Sequence, residues 1–144
     1  MSGVYVIRSL LATNAPVLAV VPANRIMTGD LPLNTPMPAI AITQISSVPR
    51  LTLRMSELPR MHTDRVQVSV LVKGPQGTPA GLGYPGVRSL LKLVLAACPN
   101  QRATVNNILV DSILPDSEGP DLQDDETSLF SGSRDFFVKW ISAT

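Results

Sequence analysis

Among its 144 residues the chain has one histidine, one cysteine and only 4% aromatic side chains. Each scarcity excludes a class of chemistry. Cys98 alone offers neither an intramolecular disulfide nor a cysteine cluster for zinc. Placed late in an apolar helical pattern, it reads as a small buried residue, in keeping with a reducing compartment. His62 falls in an irregular segment between Met61 and Thr63 and reads as an exposed polar residue. His62 and Asp64 can be written as a dyad, but neighbours of this kind are ordinarily surface side chains. The serines of "FSGSRD" lead into a strand, whereas a hydrolase serine sits on a strand-to-helix turn. Scarce aromatics, not interleaved with basic residues, exclude a base-stacking platform. No run approaches the ~18 continuous apolar residues of a membrane helix. No basic stretch precedes the first apolar residues, and Arg8, Pro16 and Pro22 interrupt them, so a soluble chain without a signal peptide is expected.

What is present describes one folded domain. Hydrophobic content is 44%, charged content 16% and formal net charge +1, which gives no overall drive towards nucleic acid or membrane. The distribution says more than the total. Six of the eleven acids (Asp116, Glu118, Asp121, Asp124, Asp125, Glu126) fall in one short segment, leaving five to face twelve Lys and Arg elsewhere. This predicts a polar acidic loop on a mildly basic body, either solvated or complementary to a neighbouring subunit. The segment "DLQDDE" lacks the spacing and the distal glutamate of a calcium loop, so no metal is expected.

The periodicities place the elements. Ser2 caps a first helix carrying Val4, Ile7, Leu10 and Leu11, which ends near Asn14 because Pro16 disfavours helical geometry before it. Val17 to Val21 forms one more apolar turn, and the proline-rich "RIMTGDLPLNTPMPA" is extended. Ala39 to Ser46 reads as a strand. The "RLTLR" stretch alternates Arg50, Thr52 and Arg54 against Leu51 and Leu53, as in an edge hairpin or an arm buried on another subunit. "RVQVSVLVK" aligns Val66, Val68, Val70 and Val72 opposite Arg65, Gln67, Ser69 and Lys73, the pattern of a half-buried strand. A helix from about Pro85 to Ala97 carries Val87, Leu90, Leu91, Val94 and Leu95 on one stripe and is stopped by Pro99. Val105 to Leu114 and Arg134 to Ile141 read as the remaining strands. The order predicts an α+β fold: a single, mainly antiparallel β-sheet of about four strands, two α-helices packed on one face, and an extended β-hairpin arm.

One motif suggests a cofactor. Gly81, Gly83 and Gly86 spell G-x-G-x-x-G ahead of the second helix. A dinucleotide loop begins where its strand stops, yet Pro75 and Pro79 lie between Lys73 and Gly81. Pro85 removes an amide from the helix start and suits the first turn of an ordinary helix. No cofactor is expected, and a small nucleotide-binding enzyme remains a remote alternative.

Taken in order, four segments resemble the tail-completion, or tail-terminator, proteins of long-tailed bacteriophages. These are "NRIMTGDLPLNTPMPAIAITQIS", "DRVQVSVLVKG", the helix "GVRSLLKLVLAA" and "DDETSLFSGSRDFFVKW". The glycine- and proline-rich stretch from Gly74 to Gly86 departs from that pattern, which calls for a shorter polar lead into the helix. The resemblance implies a single domain over residues 1–144, with an arm at about 47–63 and an acidic loop at about 115–131. It implies a non-enzymatic virion protein, assembled in the host bacterial cytoplasm and forming a hexameric ring at the head-proximal end of the tail tube. The ring would stop tube growth and join tail to head. Its partners would be further copies of itself, the tube protein and a neck or head-completion protein, with DNA only as passing cargo in the lumen and no membrane. The alternative within the virion is a neck or head-closure connector. The residues expected at subunit or partner contacts are Arg50, Leu51, Leu53, Arg54, Met55 and Arg60 of the arm, with Asp121, Asp124, Asp125 and Glu126 of the acidic segment.

Overall fold

In chain order, the computed structural model contains α1 (Ser2–Ala12), α2 (Ala15–Leu18), β1 (Ile26–Thr28), β2 (Ala39–Pro49), β3 (Met61–Lys73), α3 (Gly83–Ala97), β4 (Ala103–Val105), β5 (Ile108–Glu118), β6 (Leu122–Asp124) and β7 (Leu129–Ile141). It describes residues 2–29, 31–32, 36–49, 61–73, 83–105, 107–124 and 129–141. The Arg50–Arg60 stretch of the arm, Gly81, Asp125 and Glu126 lie outside the described residues.

The strands join in one sheet of order β1-β2-β3-β7-β5-β4, with β6 also paired to β7. Every pairing is antiparallel except β1 on β2. The central pair, β3 and β7, stays in register from Met61↔Ile141 to Lys73↔Leu129. The valine stripe of β3 therefore faces Phe136 and Val138 of β7 and Ile40 and Ile42 of β2 in one fully buried layer. Helices α1 and α3 cover that layer from the same side, α1 through Val4, Ile7 and Leu11, and α3 through Val87, Leu90, Leu91 and Val94.

Local chemistry sets the element boundaries. The Asn14 side chain accepts from the Val17 amide at 3.1 Å and caps α2, where Pro16 occupies an early position that needs no amide hydrogen bond. Gly132 lets α3 approach β7, since a Cβ there would stand 2.8 Å from Val87 Cγ1.

The architecture differs from the sequence expectation in identifiable places. The sheet has seven strands among the described residues rather than about four. The additional β1, β4 and β6 have three residues each, too short to show a period. The expected strand from Val105 to Leu114 is a hairpin, turning at Asn107 with φ 61°, a left-handed conformation that asparagine tolerates. The last strand starts at Leu129 rather than Arg134. Helix α3 starts at Gly83, two residues earlier than Pro85, so two of the fingerprint glycines lie in its first turn. The strands flanking α3, β3 and β4, are separated in the sheet by β7 and β5, which is not the parallel crossover a dinucleotide fold requires.

The acidic segment 115–131 is also largely strand. Strand β5 runs on to Glu118, and β6 pairs with β7 before residues 125–128 pass outside the description. Cross-strand partners override the loop propensity of the acids, since Glu118 lies directly opposite Arg134.

Candidate assembly surfaces

The described ends of the arm are strand. Ser47, Val48 and Pro49 of β2 pair with Asp64, Thr63 and His62 of β3, so β2 ends and β3 begins at the Trp140 end of the sheet. Asp64 continues the parity of the valine stripe and points into the core, where it is fully buried. A carboxylate so placed requires donors. It accepts from the Gly3 amide at 2.9 Å, the Ser47 hydroxyl at 2.5 Å and the Trp140 indole N–H at 2.9 Å. The Gly3 bond also places negative charge at the α1 N-terminus, where the helix dipole favours it. Gly3 has no room for a side chain, because a Cβ there would lie 2.7 Å from Asp64 Cβ.

Beside this node His62 stacks on Trp140, with ring centroids 4.3 Å apart and planes inclined by 14°. His62 is thus a half-buried strand residue rather than an exposed one in an irregular segment. Its ring closes the end of the core where β2 ends and β3 begins. Asp64 is committed to backbone, hydroxyl and indole donors.

The acidic segment forms two ionic clusters, one on each face of the sheet. On the helix side, Arg88 of α3 meets Glu118 at 3.0 Å and Asp121 at 2.6 Å, while Arg134 meets Glu118 at 2.7 Å. On the face away from α1 and α3, Arg65 meets Asp135 at 2.8 Å and Asp116 at 3.3 Å. The Arg65 guanidinium also stands 5.8 Å from the centre of the Phe137 ring. Asp135 is buried, and its Oδ1 has no hydrogen-bond partner among the described residues.

Of the residues expected at contacts, Asp121 is placed on the helix-side cluster and Asp124 ends β6. Arg50, Leu51, Leu53, Arg54, Met55, Arg60, Asp125 and Glu126 lie outside the described residues. Sequence reasoning read Asp64, beside His62, as a surface side chain, whereas it is fully buried; extending the period of the valine stripe by one step back from Val66 turns it inward. It also missed the pairing of Arg88 with the acids, for which no local signal exists.

Burial pushes the Cys98 thiol from 9.0 up to about 12, which leaves it protonated and poorly nucleophilic. Among the described residues no group of His, Cys, Asp or Glu is arranged to hold a metal ion. Depressions among the described residues include two. One, of about 400 Å³, is lined by Arg8, Asn24, Ile26, Met27, Thr28 and Pro32. The other, of about 250 Å³, lies along α3 between Arg88, Lys92 and Arg134.

The arrangement defines a class of fold: one curled, mainly antiparallel sheet with its helices on a single face. No family model and no curated protein matches the chain. Among solved structures, the fold is similar to that of a chain in the virion of a native gene transfer agent particle. The TM-score is 0.62 at 10% identity, over 95% of this chain and 92% of the other. A second solved structure matches with a TM-score of 0.52 at 15% identity, over 92% of this chain and 89% of the other. At these identities the likeness is one of fold.

Proposed function

We propose that this protein is a structural component of a tailed-phage-type virion, forming a ring at the head-proximal end of the tail tube that ends tube growth and joins tail to head. The observation that carries this reading is the fold, shared over 95% of the chain with a chain of a gene transfer agent virion. The sequence resemblance to tail-terminator proteins points the same way from a different kind of signal. A ring of identical copies needs two unlike surfaces that meet head to tail with a rotation that closes.

Within this reading the contacts are made by Arg50, Leu51, Leu53, Arg54, Met55 and Arg60 of the arm, and by Asp121, Asp124, Asp125 and Glu126 of the acidic segment. The root of the arm supports it, because the Asp64 node ties β2, β3, β7 and α1 together at that end of the sheet. Asp121 already holds Arg88, so it enters a contact as an ion pair rather than as a bare carboxylate.

Electron microscopy and sedimentation of the purified protein test the reading. Six-fold rings with a central hole are expected. Replacing Leu51 and Leu53 by serine weakens the rings while the monomer's unfolding curve is unchanged. Uniform monomers at high concentration would sink the proposal. Localisation of the ring to the portal side of an intact particle would reassign the chain to head closure.

A further inference from the structure

We propose that copies of this chain join as a continued sheet, the β2 edge of one copy pairing with the β5–β6 edge of the next. This rests on the ring reading and specifies the surface that closes the ring. Both edges are half open. Strand β1 covers only Ile40–Ile42 of β2, at its partners Ile26–Thr28. Strand β4 covers only Ile108–Val110 of β5. Among the described residues, no strand lies beside residues 43–49 of β2 or beside 111–118 of β5 on their outward sides. One group on the β5 edge is capped by a side chain, the Ile113 amide donating to Asn100 Oδ1 at 3.3 Å. Open strand edges present rows of unpaired amides and carbonyls, which another strand satisfies.

The apolar residues coincide with these edges. Six large hydrophobic residues are exposed among those described, and four lie here: Ile45 (51%) and Val48 (61%) on β2, Leu114 (40%) on β5 and Leu122 (62%) on β6. Register places three of them on one face. Val48 is opposite Thr63, Leu114 opposite Phe137 and Leu122 opposite Ser131, all on the face away from α1 and α3. A sheet continued from copy to copy therefore brings Val48 across from one leucine of its neighbour, Leu114 in one register or Leu122 in another, apolar next to apolar at the spacing of cross-strand pairs.

Charge selects unlike edges over like ones. The β5–β6 edge carries Asp111, Asp116, Glu118 and Asp121 against the three arginines that pair with them, Arg65, Arg88 and Arg134, so two such edges would oppose like clusters in which acids outnumber bases. Residues 39–49 of β2 include no acid. Pairing β2 with β2 would give a closed dimer and leave the acidic edge open. Pairing the two different edges uses both and repeats around a ring.

Two double variants test this, each altering residues that a single copy exposes: Ile45→Glu with Val48→Glu, and Leu114→Glu with Leu122→Glu. Glutamate is chosen because lysine on β2 would be attracted to the acidic edge. Threonine versions, which keep strand propensity, are run alongside, and the unfolding curve of each variant checks its fold. In sedimentation velocity, each glutamate variant alone is expected to remain monomeric where wild type forms rings, its association weakened about tenfold or more. Mixed one to one, the two variants form a heterodimer, because each retains one intact and complementary edge. Wild-type-like rings from either variant alone, a β2–β2 homodimer of the Leu114/Leu122 variant, or a monomeric mixture would each overturn the edge pairing while leaving the ring reading intact. A wild type that stays monomeric throughout would overturn the ring reading and the pairing with it.

Discussion

The Trp140 indole N–H donates to the Asp64 carboxylate at 2.9 Å, so the last strand holds the acid that also receives the first helix. Three segments distant in sequence thus depend on one buried charge. Replacing Asp64 by Asn removes the charge and sets an amide N–H₂ against donors. The expected loss is about 2–4 kcal/mol of unfolding free energy, from charge-assisted bonds and the donors left unmatched. Urea unfolding followed by Trp140 fluorescence measures it, and a loss below about 0.5 kcal/mol, the scale of an ordinary surface substitution, would refute the structural role given to Asp64.

Helix propensity favours alanine over glycine by about 1 kcal/mol, so Gly3→Ala in α1 looks stabilising on local grounds. Tertiary packing predicts the opposite sign, because the new Cβ would stand 2.7 Å from Asp64 Cβ. Gly132→Ala meets the same obstacle in β7, with Val87 Cγ1 at 2.8 Å and Leu91 Cδ1 at 3.1 Å. Each variant is expected to lose about 1–3 kcal/mol through overpacking. A raised midpoint for Gly3→Ala in thermal unfolding would show that α1 shifts freely over the node.

These two glycines mark where sequence reading stops. The long elements were legible because burial imposes a period: two for β3, and about three and a half for α1 and α3. The three-residue strands were not, since three residues cannot display a period, and each owes its state to the neighbour it lies against. The turn at Asn107 had a visible signal in its asparagine pair, and the apolar flanks on both sides masked it as one strand. The acids from Asp116 to Asp121 looked like a loop because propensity carries no record of Arg65, Arg88 and Arg134 arriving from three other elements. Of the candidate contacts, the sequence offered residue types, and the fold adds what lies under the arm: a buried acid, a stacked His62–Trp140 pair and an open strand edge.

Two arginines that look alike in the sequence should behave differently. Arg88 holds Glu118 and Asp121 with all three side chains substantially exposed, so Arg88→Gln should cost less than about 1 kcal/mol and less still at high salt. Arg65 holds Asp135, whose side chain is only 10% exposed and whose second oxygen has no hydrogen-bond partner among the described residues. Arg65→Gln strands that carboxylate and should cost about 2–4 kcal/mol, since breaking a buried pair leaves an uncompensated charge. Paired denaturation curves decide the matter, and equal losses would contradict the burial argument.

Cys98 reports on the core from inside it. Burial raises its thiol from 9.0 to about 12, so the native chain keeps a proton that the unfolded chain releases between those values. The unfolded state then binds fewer protons, and stability falls as pH rises from 9.0 towards about 12. Cys98→Ala removes this part of the alkaline slope while adding a small constant loss from the cavity. At lower pH the same burial makes Cys98 slow towards a thiol-specific disulfide reagent until urea opens the α3 end of the core. Rapid labelling of the native chain would show that this end opens without global unfolding.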